Sequence, residues 1–590
     1  MFYAAATFAD DRSRRILAAA ELHAGHLAET GFFTRLESRS FEGAALFWDG
    51  GSSHASIFDR SDGAALLRGG YLAAPDEWKG TVHSTEAPDA WGEFAAVKVS
   101  MAADGISLRV FSDPAASWPI YFGAHDGAAV ASNDPHFVAV ALGFTGLSAV
   151  GAYEVLTYSH TVGTGTTIDG VSRAFPGEQV TLRRSRAGGS LTVDGRSTLS
   201  YSRERTDPAT TYAALRDSIA GAAEIARRFP SSTVQISGGL DSRLTAGVLA
   251  EVFPERPASV TLDLSDRAEL DVAAEVSQRL GFPHRQVSLE QISAHAMRKG
   301  WLLTGGQVSV YAAAGNVLSY ETANDGDQVT IIGGWPGDCL IGSYIPLLPT
   351  MTVPALTAPV VRDWARKRGY KWSEIGVRVS GRRAGAIARR ARSNLRRRLL
   401  DSSGRTAAQK ISHWAMFSRQ PAFSYVSPAL LSSHVLAITP LLARPYLVEL
   451  LKLTGDEIMG KNFYRRMLLE ALPQLADIPY STTGEPITKE VVRPRWKPTT
   501  RGELYQLFPD LLQWLTRRLR PQGPYNPANA ETEFWSAMFD REGAEGVVEL
   551  DGLTIDARAV NHLHVRSVSL ALRWTRDYLG AAADELRHMT

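Results

Sequence analysis

Cysteine is all but missing from this chain: Cys339 stands alone among 590 residues. One thiol cannot close an internal disulfide, and it cannot build a cysteine-based zinc cluster. A reducing cytoplasm accounts for that scarcity, although a cysteine-poor secreted protein would read the same way. An excess of charge is missing too. The 63 Lys and Arg against 62 Asp and Glu leave a formal charge of +1, which predicts no global attraction to nucleic acid or to an anionic membrane. Long apolar runs are also lacking. The longest apolar-looking stretch, Tyr344 to Val361, contains Pro346, Pro349, Pro354 and Pro359, which argues for an irregular loop and against a membrane helix. The opening Met1-Phe2-Tyr3-Ala4-Ala5-Ala6 has no basic segment ahead of its apolar residues and turns charged at Asp10-Asp11-Arg12, so it does not read as a signal peptide.

What is present suits an ordinary globular protein, 44% hydrophobic and 21% charged. At about 150 residues per domain, the length allows two to four domains. Residues 1 to 195 read as short β runs with frequent turns, among them Ala44–Trp48, Ala95–Val99, Ser107–Phe111 and Gln179–Leu182. Arg183 to Thr206 is polar and turn-prone, as a linker would be. From Pro208 the pattern changes to a helix over Thr210–Arg228, a strand over Thr233–Ile236, a second strand over Ala258–Leu262 and an amphipathic helix over Ala268–Leu280. Strands alternating with helices imply a parallel sheet that binds ligands at the carboxyl ends of its strands. From Ile411 onward the reading is mostly helical, including Ser567–Arg587.

The most informative stretch is Ser237-Gly238-Gly239-Leu240-Asp241-Ser242, between the first of those strands and the apolar-periodic Leu244–Ala250. Strand, glycine turn and helix in that order make a phosphate cradle, with backbone N–H groups and a positive helix end facing a polyanion. Gly238 and Gly239 allow close backbone approach, and Ser237 and Ser242 supply hydroxyl donors. The loop lacks the Gly-Lys-Ser/Thr ending of a Walker loop. Its Asp241 cannot neutralise phosphates, but it can hold the Mg²⁺ that does.

This loop resembles the pyrophosphate loop of the ATP pyrophosphatases, and the whole chain resembles the asparagine synthetase-like family. Trp91-Gly92-Glu93-Phe94-Ala95 is similar to the family's Gly-x-Phe-Ala stretch, and Asp113-Pro114 through Ser117-Trp118-Pro119-Ile120-Tyr121-Phe122 to its Asp-Pro hairpin. Phe175-Pro176-Gly177-Glu178 resembles a later turn, Gly333-Gly334-Trp335-Pro336-Gly337-Asp338 a second Gly-rich loop, and Lys461-Asn462-Phe463-Tyr464-Arg465 a Lys-x-x-Leu-Arg segment. The resemblance implies an α/β plus α+β chain. Residues 1–195 would form a glutaminase-type (Ntn-like) αββα sandwich. Residues 208–590 would form an ATP-pyrophosphatase (adenine nucleotide α-hydrolase-like) parallel-sheet domain with a helical C-terminal part and a Pro- and Arg-rich insertion at 344–410. It also implies ATP and Mg²⁺ as cofactors, Asp241 and Asp338 as metal ligands, and Leu262, Gly334 and Gly337 as further nucleotide-binding residues. Lys461 and Arg465 would balance the leaving pyrophosphate, or form a solvated cationic face four residues apart on a helix.

Two departures narrow the reading. Glutamine-hydrolysing members need a cysteine exposed after Met1 is removed, whereas position 2 is Phe2 and no cysteine occurs before Cys339. The amine must therefore come from elsewhere. Relatives also carry an amide-forming lysine where Tyr480 stands, and β-lactam synthetases a tyrosine where Trp335 stands. Arg378 to Arg398, which holds Arg382, Arg383, Arg389, Arg390, Arg392, Arg396 and Arg397 with alanines between, reads as a cationic helix suited to an anionic partner peptide, another protein or RNA, or simply solvated.

Within the family the chain is most similar to the lasso peptide cyclases, which adenylate a side-chain carboxylate of a precursor peptide and let the peptide's own N-terminal amine displace AMP. That likeness implies the precursor peptide, a leader-recognition protein and a leader peptidase as partners, with no nucleic acid and no membrane span. The alternatives are a small-molecule amide synthetase, a non-catalytic ATP-binding interaction protein, and an RNA-modifying member of the pyrophosphatase fold.

Overall fold

The structure is a computed structural model. It describes the chain except residues 1–2, 10–11, 32, 51–54, 61–62, 73–91, 104, 186–187, 196–198, 228–229, 264–266, 289–292, 311–312, 315–316, 318–328, 333–336, 373–375, 424–434, 481–483, 488–536, 561 and 590.

The first part of the chain forms strands β1 (Tyr3–Thr7), β2 (Leu36–Phe41), β3 (Ala44–Asp49), β4 (Ala55–Arg60), β5 (Gly63–Leu72) and β6 (Gly92–Ala102). These are followed by β7 (Gly105–Ser112), β8 (Tyr121–His125), β9 (Ala128–Ser132), β10 (Ser172–Arg173), β11 (Glu178–Ser185) and β12 (Gly188–Gly195). They assemble into two sheets, ordered β10-β8-β9-β1-β3-β2 and β12-β11-β7-β6-β5-β4. The period of two in β1 and β3 sorts their side chains. Ala5, Leu46 and Trp48 meet Val97, Leu108 and Val110 of the second sheet, while Ala4, Ala6 and Phe47 face helices Ser13–Ala28 and Pro135–Leu142. Asp134 starts the latter helix, accepting from His136 N–H at 2.8 Å ahead of Pro135. The linker expected over Arg183–Thr206 is partly overturned. Arg183–Ser185 ends β11 and Gly188–Gly195 is β12, because an eight-residue antiparallel ladder satisfies the backbone of this polar edge strand.

Next come β13 (Ser231–Gln235), β14 (Ala258–Asp263), β15 (His284–Ser288), β16 (Val329–Ile332), β17 (Arg378–Ser380) and β18 (Val435–Ile438). All but β17 form one parallel sheet, ordered β15-β14-β13-β16-β18. Helices Pro208–Ala226, Leu240–Val252 and Arg267–Leu280 accompany it. Three local readings change. The proline-rich stretch holds two 3₁₀ turns and then helix Thr357–Lys367, whose Pro359 sits in the first turn where its missing N–H costs nothing. The arginine run is not one helix: β17 precedes helix Ala384–Asp401, which buries Ile387, Ala391, Leu395 and Leu399. The C-terminal part is not purely helical, because β17 pairs with the hairpin β19 (Val547–Leu550) and β20 (Leu553–Asp556).

Helix Leu563–Met589 returns to the N-terminal sheets. His23 Nε2 lies 3.0 Å from Asp134 Oδ2, His23 Nδ1 lies 2.7 Å from Tyr578 Oη, and His136 Nε2 lies 3.4 Å from Thr575 Oγ1. At a separate contact the Thr439 N–H, just after β18, donates to Glu93 of β6. Burial pushes the Glu93 carboxyl up to about 8 from an ordinary 4.5. It is therefore protonated in the fold at neutral pH and ionised in the unfolded chain. That contribution to stability is complete below pH 4.5 and is lost as pH rises toward 8. Glu93→Gln keeps the acceptor but cannot ionise. The variant should melt with the wild type at pH 5 and at least ~3 °C above it at pH 8.5; equal melting at both would refute a neutral Glu93.

Candidate active site

β13 lies at the centre of the parallel sheet, so its carboxyl end opens where loops from both neighbours converge. Gly239 stands at the N-cap of helix Leu240–Val252 with no side chain capping it, leaving the first-turn N–H groups directed at the loop. The loop is braced by its own hydroxyls. Ser242 Oγ accepts from Ser237 N–H at 3.0 Å and lies 2.9 Å from Ser237 Oγ, which accepts from Gly239 N–H at 3.3 Å. Thr261 Oγ1 of β14 donates to Ile236 O at 2.6 Å, tying the loop's root to the next strand.

Asp241 projects from the first helical turn toward the following loop. A Cβ added at Gly337 would stand 2.8 Å from Asp241 Oδ1 and 3.1 Å from Tyr464 Oη, so any larger residue there would push against the Asp241 carboxylate. Tyr446 Oη donates to Tyr464 Oη at 3.0 Å, and Tyr464 in turn is hydrogen-bonded to Asp241. Burial, followed by the charge of Asp241 and the neighbouring phenol, raises the Tyr464 hydroxyl well above its usual range, so it stays a donor.

Tyr464 belongs to helix Asn462–Ala471, which carries Arg465 and is preceded by Lys461. Gly460 and Lys461 both have positive φ, 66° and 57°; a lysine in the left-handed region is a strained backbone that its surroundings must hold. Lys461 therefore precedes the helix and does not share a helical face with Arg465. Its Nζ lies 5.7 Å from the ring centroid of Tyr480. Arg465 is buried, not solvated, and desolvation lowers its pKa against the pull of Tyr480 and Glu485. Tyr480 opens a tight turn in which its N–H donates to Glu485 O at 2.9 Å and its carbonyl accepts from Gly484 N–H at 2.8 Å. Lys461, Arg465 and Tyr480 are thus gathered beside the helix that holds Asp241.

Arg243 organises this arrangement, and sequence reasoning passed over it. Its fully buried guanidinium donates to the carbonyls of Leu475 (3.3 Å), Ile478 (2.8 Å) and Pro479 (2.9 Å), anchoring the segment that presents Tyr480. The only signal was its place immediately after Ser242. Tyr446 was likewise missed, lying far from any motif. Asp338 forms the middle of the 3₁₀ turn Gly337–Cys339, and Leu262 is near the carboxyl end of β14; the side chains of both lie outside the described residues. Phe2, Trp91, Gly334 and Trp335 also lie outside them. Among the described residues no group of three or more His, Cys, Asp or Glu is placed to hold a metal ion.

Residues 214–434 match the family model described as asparagine synthase. That part of the chain is asparagine synthetase-like. The family comprises ATP-dependent, AMP-forming carbon–nitrogen ligases, and this chain is an enzyme of that class. The asparagine synthetase-like part takes in the Ser237–Ser242 loop and Asp338 and ends before Lys461, Arg465 and Tyr480. No curated protein matches the sequence. Two solved structures show a weak likeness. Glutamine phosphoribosylpyrophosphate amidotransferase from B. subtilis, complexed with ADP and GMP, is 10% identical over 58% of this chain and 77% of its own, with a TM-score of 0.19. A structure of the allosteric regulatory enzyme of purine biosynthesis is 10% identical over 58% and 76%, with a TM-score of 0.22.

Proposed function

We propose that this ligase adenylates an Asp or Glu side chain of a precursor peptide and closes a macrolactam with that peptide's N-terminal amine, releasing AMP and pyrophosphate. The observation that carries the reading is an intact adenylation loop in a chain whose N-terminal part has no cysteine to release ammonia from glutamine. An amine held on the same substrate needs no ammonia source and reacts at a high effective concentration. A leader-recognition protein and a leader peptidase would deliver that substrate.

Asp241 suits a Mg²⁺ ligand: it is a hard oxygen donor, it faces the Gly337 turn, and Asp338 follows directly in the chain. Mg²⁺, when bound there with ATP, would neutralise phosphate charge. The loop N–H groups would orient the phosphates, and Lys461 and Arg465 would counter the charge of the departing pyrophosphate. Tyr480 would keep Lys461 in place through its ring face.

The test is mass spectrometry of a leaderless peptide with a free N-terminal Gly and an Asp or Glu several residues on, incubated with enzyme, ATP and Mg²⁺. The expected result is ATP-dependent loss of one water from the peptide, with equimolar AMP. AMP release driven by free amino acids, with the peptide unchanged across a panel of ring sizes, would overturn the peptide reading.

A further inference from the structure

The arginine-rich helix Ala384–Asp401 has three faces, one buried and two exposed, and the two exposed faces border different surroundings. At about 100° per residue, Ala391, Leu395 and Leu399 form the buried stripe and Arg389, Arg392 and Arg396 the solvent stripe. Arg383, Arg390 and Arg397 fall within about 40° of one another on a third stripe beside the core. That stripe borders a cavity of 560 Å³, with Arg390, Arg397 and Arg398 on one wall and Val150, Gly151 and Gly165 on the other.

The opposite wall is the start of helix Ala149–Tyr158, whose N-cap Ser148 accepts from Gly151 N–H at 3.2 Å. The partial positive charge of that helix end adds to the arginines. Two acids border the cavity, and one is already committed: Glu154 accepts from Val162 N–H at 2.8 Å, Gly163 N–H at 3.2 Å and Asn394 Nδ2 at 2.7 Å. Asp401 is at the far end of the helix, exposed. Arg383 is ion-paired with Asp551, and Arg398 lies over the Phe175 ring at 3.4 Å. Arg390 has no ion-pair partner among the described residues. The groove therefore carries surplus positive charge, with Val150, Ala386 and Ile387 as its apolar side chains.

We propose that this groove binds an acidic peptide segment in extended polyproline II form, with carboxylates three residues apart. Arg397 lies seven positions after Arg390, a rise of about 10.5 Å along the helix. Three residues of polyproline II advance about 9.3 Å and return to the same side, so carboxylates at i and i+3 reach successive guanidiniums. The small and apolar side chains of Val150, Ala386 and Ile387 leave room for the residues between them. This site is distinct from the adenylation loop and does not depend on the reaction proposed above.

The experiment is fluorescence anisotropy on the full chain with a labelled (Glu-Pro-Pro)₄ peptide and its Gln-Pro-Pro counterpart. The glutamate peptide should bind at least about tenfold more tightly than the glutamine one. Arg390→Gln with Arg397→Gln should weaken it about tenfold, whereas Arg389→Gln with Arg392→Gln on the solvent stripe should leave binding within about twofold. No binding of the glutamate peptide, or equal losses in both double variants, would overturn the site. Tripolyphosphate binding in the absence of peptide binding would overturn it in favour of a phosphate ligand. Because the readout is binding, a failure of macrolactam formation leaves this test unaffected.

Discussion

Asp241→Asn should lower ATP-dependent AMP release by on the order of 10²–10³-fold while leaving the melting temperature close to that of the wild type. The argument is local. Asparagine keeps the shape of the side chain and an oxygen that can accept from Tyr464, so the packing against Gly337 survives. What it removes is the negative charge at the start of helix Leu240–Val252, the charge needed to hold a cation against the phosphates. A coupled pyrophosphate assay, with melting followed in parallel, separates the two effects. Turnover within about tenfold of wild type would show that Asp241 is not the cation ligand, and would move that role elsewhere on the Gly337–Cys339 turn.

Arg243→Ala is expected to have the second large effect, on stability and rate together. Truncation leaves the carbonyls of Leu475, Ile478 and Pro479 without their buried donor and opens a void in the core, a loss on the order of 3–5 kcal/mol. The same change frees the segment bearing Tyr480, so turnover well below the melting temperature should also fall. Arg243→Lys, which keeps charge and one or two of the three hydrogen bonds, should recover part of the stability and less of the rate, because a single ammonium cannot span three carbonyls as a planar fork does. Equal recovery of both would make Arg243 a structural anchor with no influence on Tyr480. Denaturant unfolding and initial rates at one temperature give the comparison.

Elements governed by local pattern were legible in the chain itself. The strand Ala258–Asp263 and helix Arg267–Leu280 announce themselves through β-branched enrichment and a 3.6-residue apolar period. The helix at Pro208–Ala226 carries its own start signal, Asp207 capping Thr210 N–H at 2.8 Å beside Pro208. The Ser237–Ser242 loop was equally plain, because its glycines, hydroxyls and acid act on one another over six residues. The edge strand Gly188–Gly195 was not, since polar residues between glycines resemble a linker until a partner strand supplies the ladder. Nor was the hairpin Val547–Asp556, whose third strand comes from Arg378–Ser380, far back in the chain.

At the site the division follows the same physics. Short-range chemistry in the sequence determined the phosphate-type loop, and the family resemblance singled out the missing glutaminase cysteine and Lys461, Arg465 and Tyr480 as groups of interest. Only the tertiary structure decided that Lys461 stands in a left-handed turn ahead of its helix, that Arg465 is buried, and that Arg243 reaches the Tyr480 segment more than 230 residues away. It also decided that the final helix closes back on His23 and Asp134 through Tyr578 and Thr575. Such contacts carry no periodicity or spacing. They arise because buried polar groups must find partners wherever the packed core brings them, and that geometry exists only once the chain has folded.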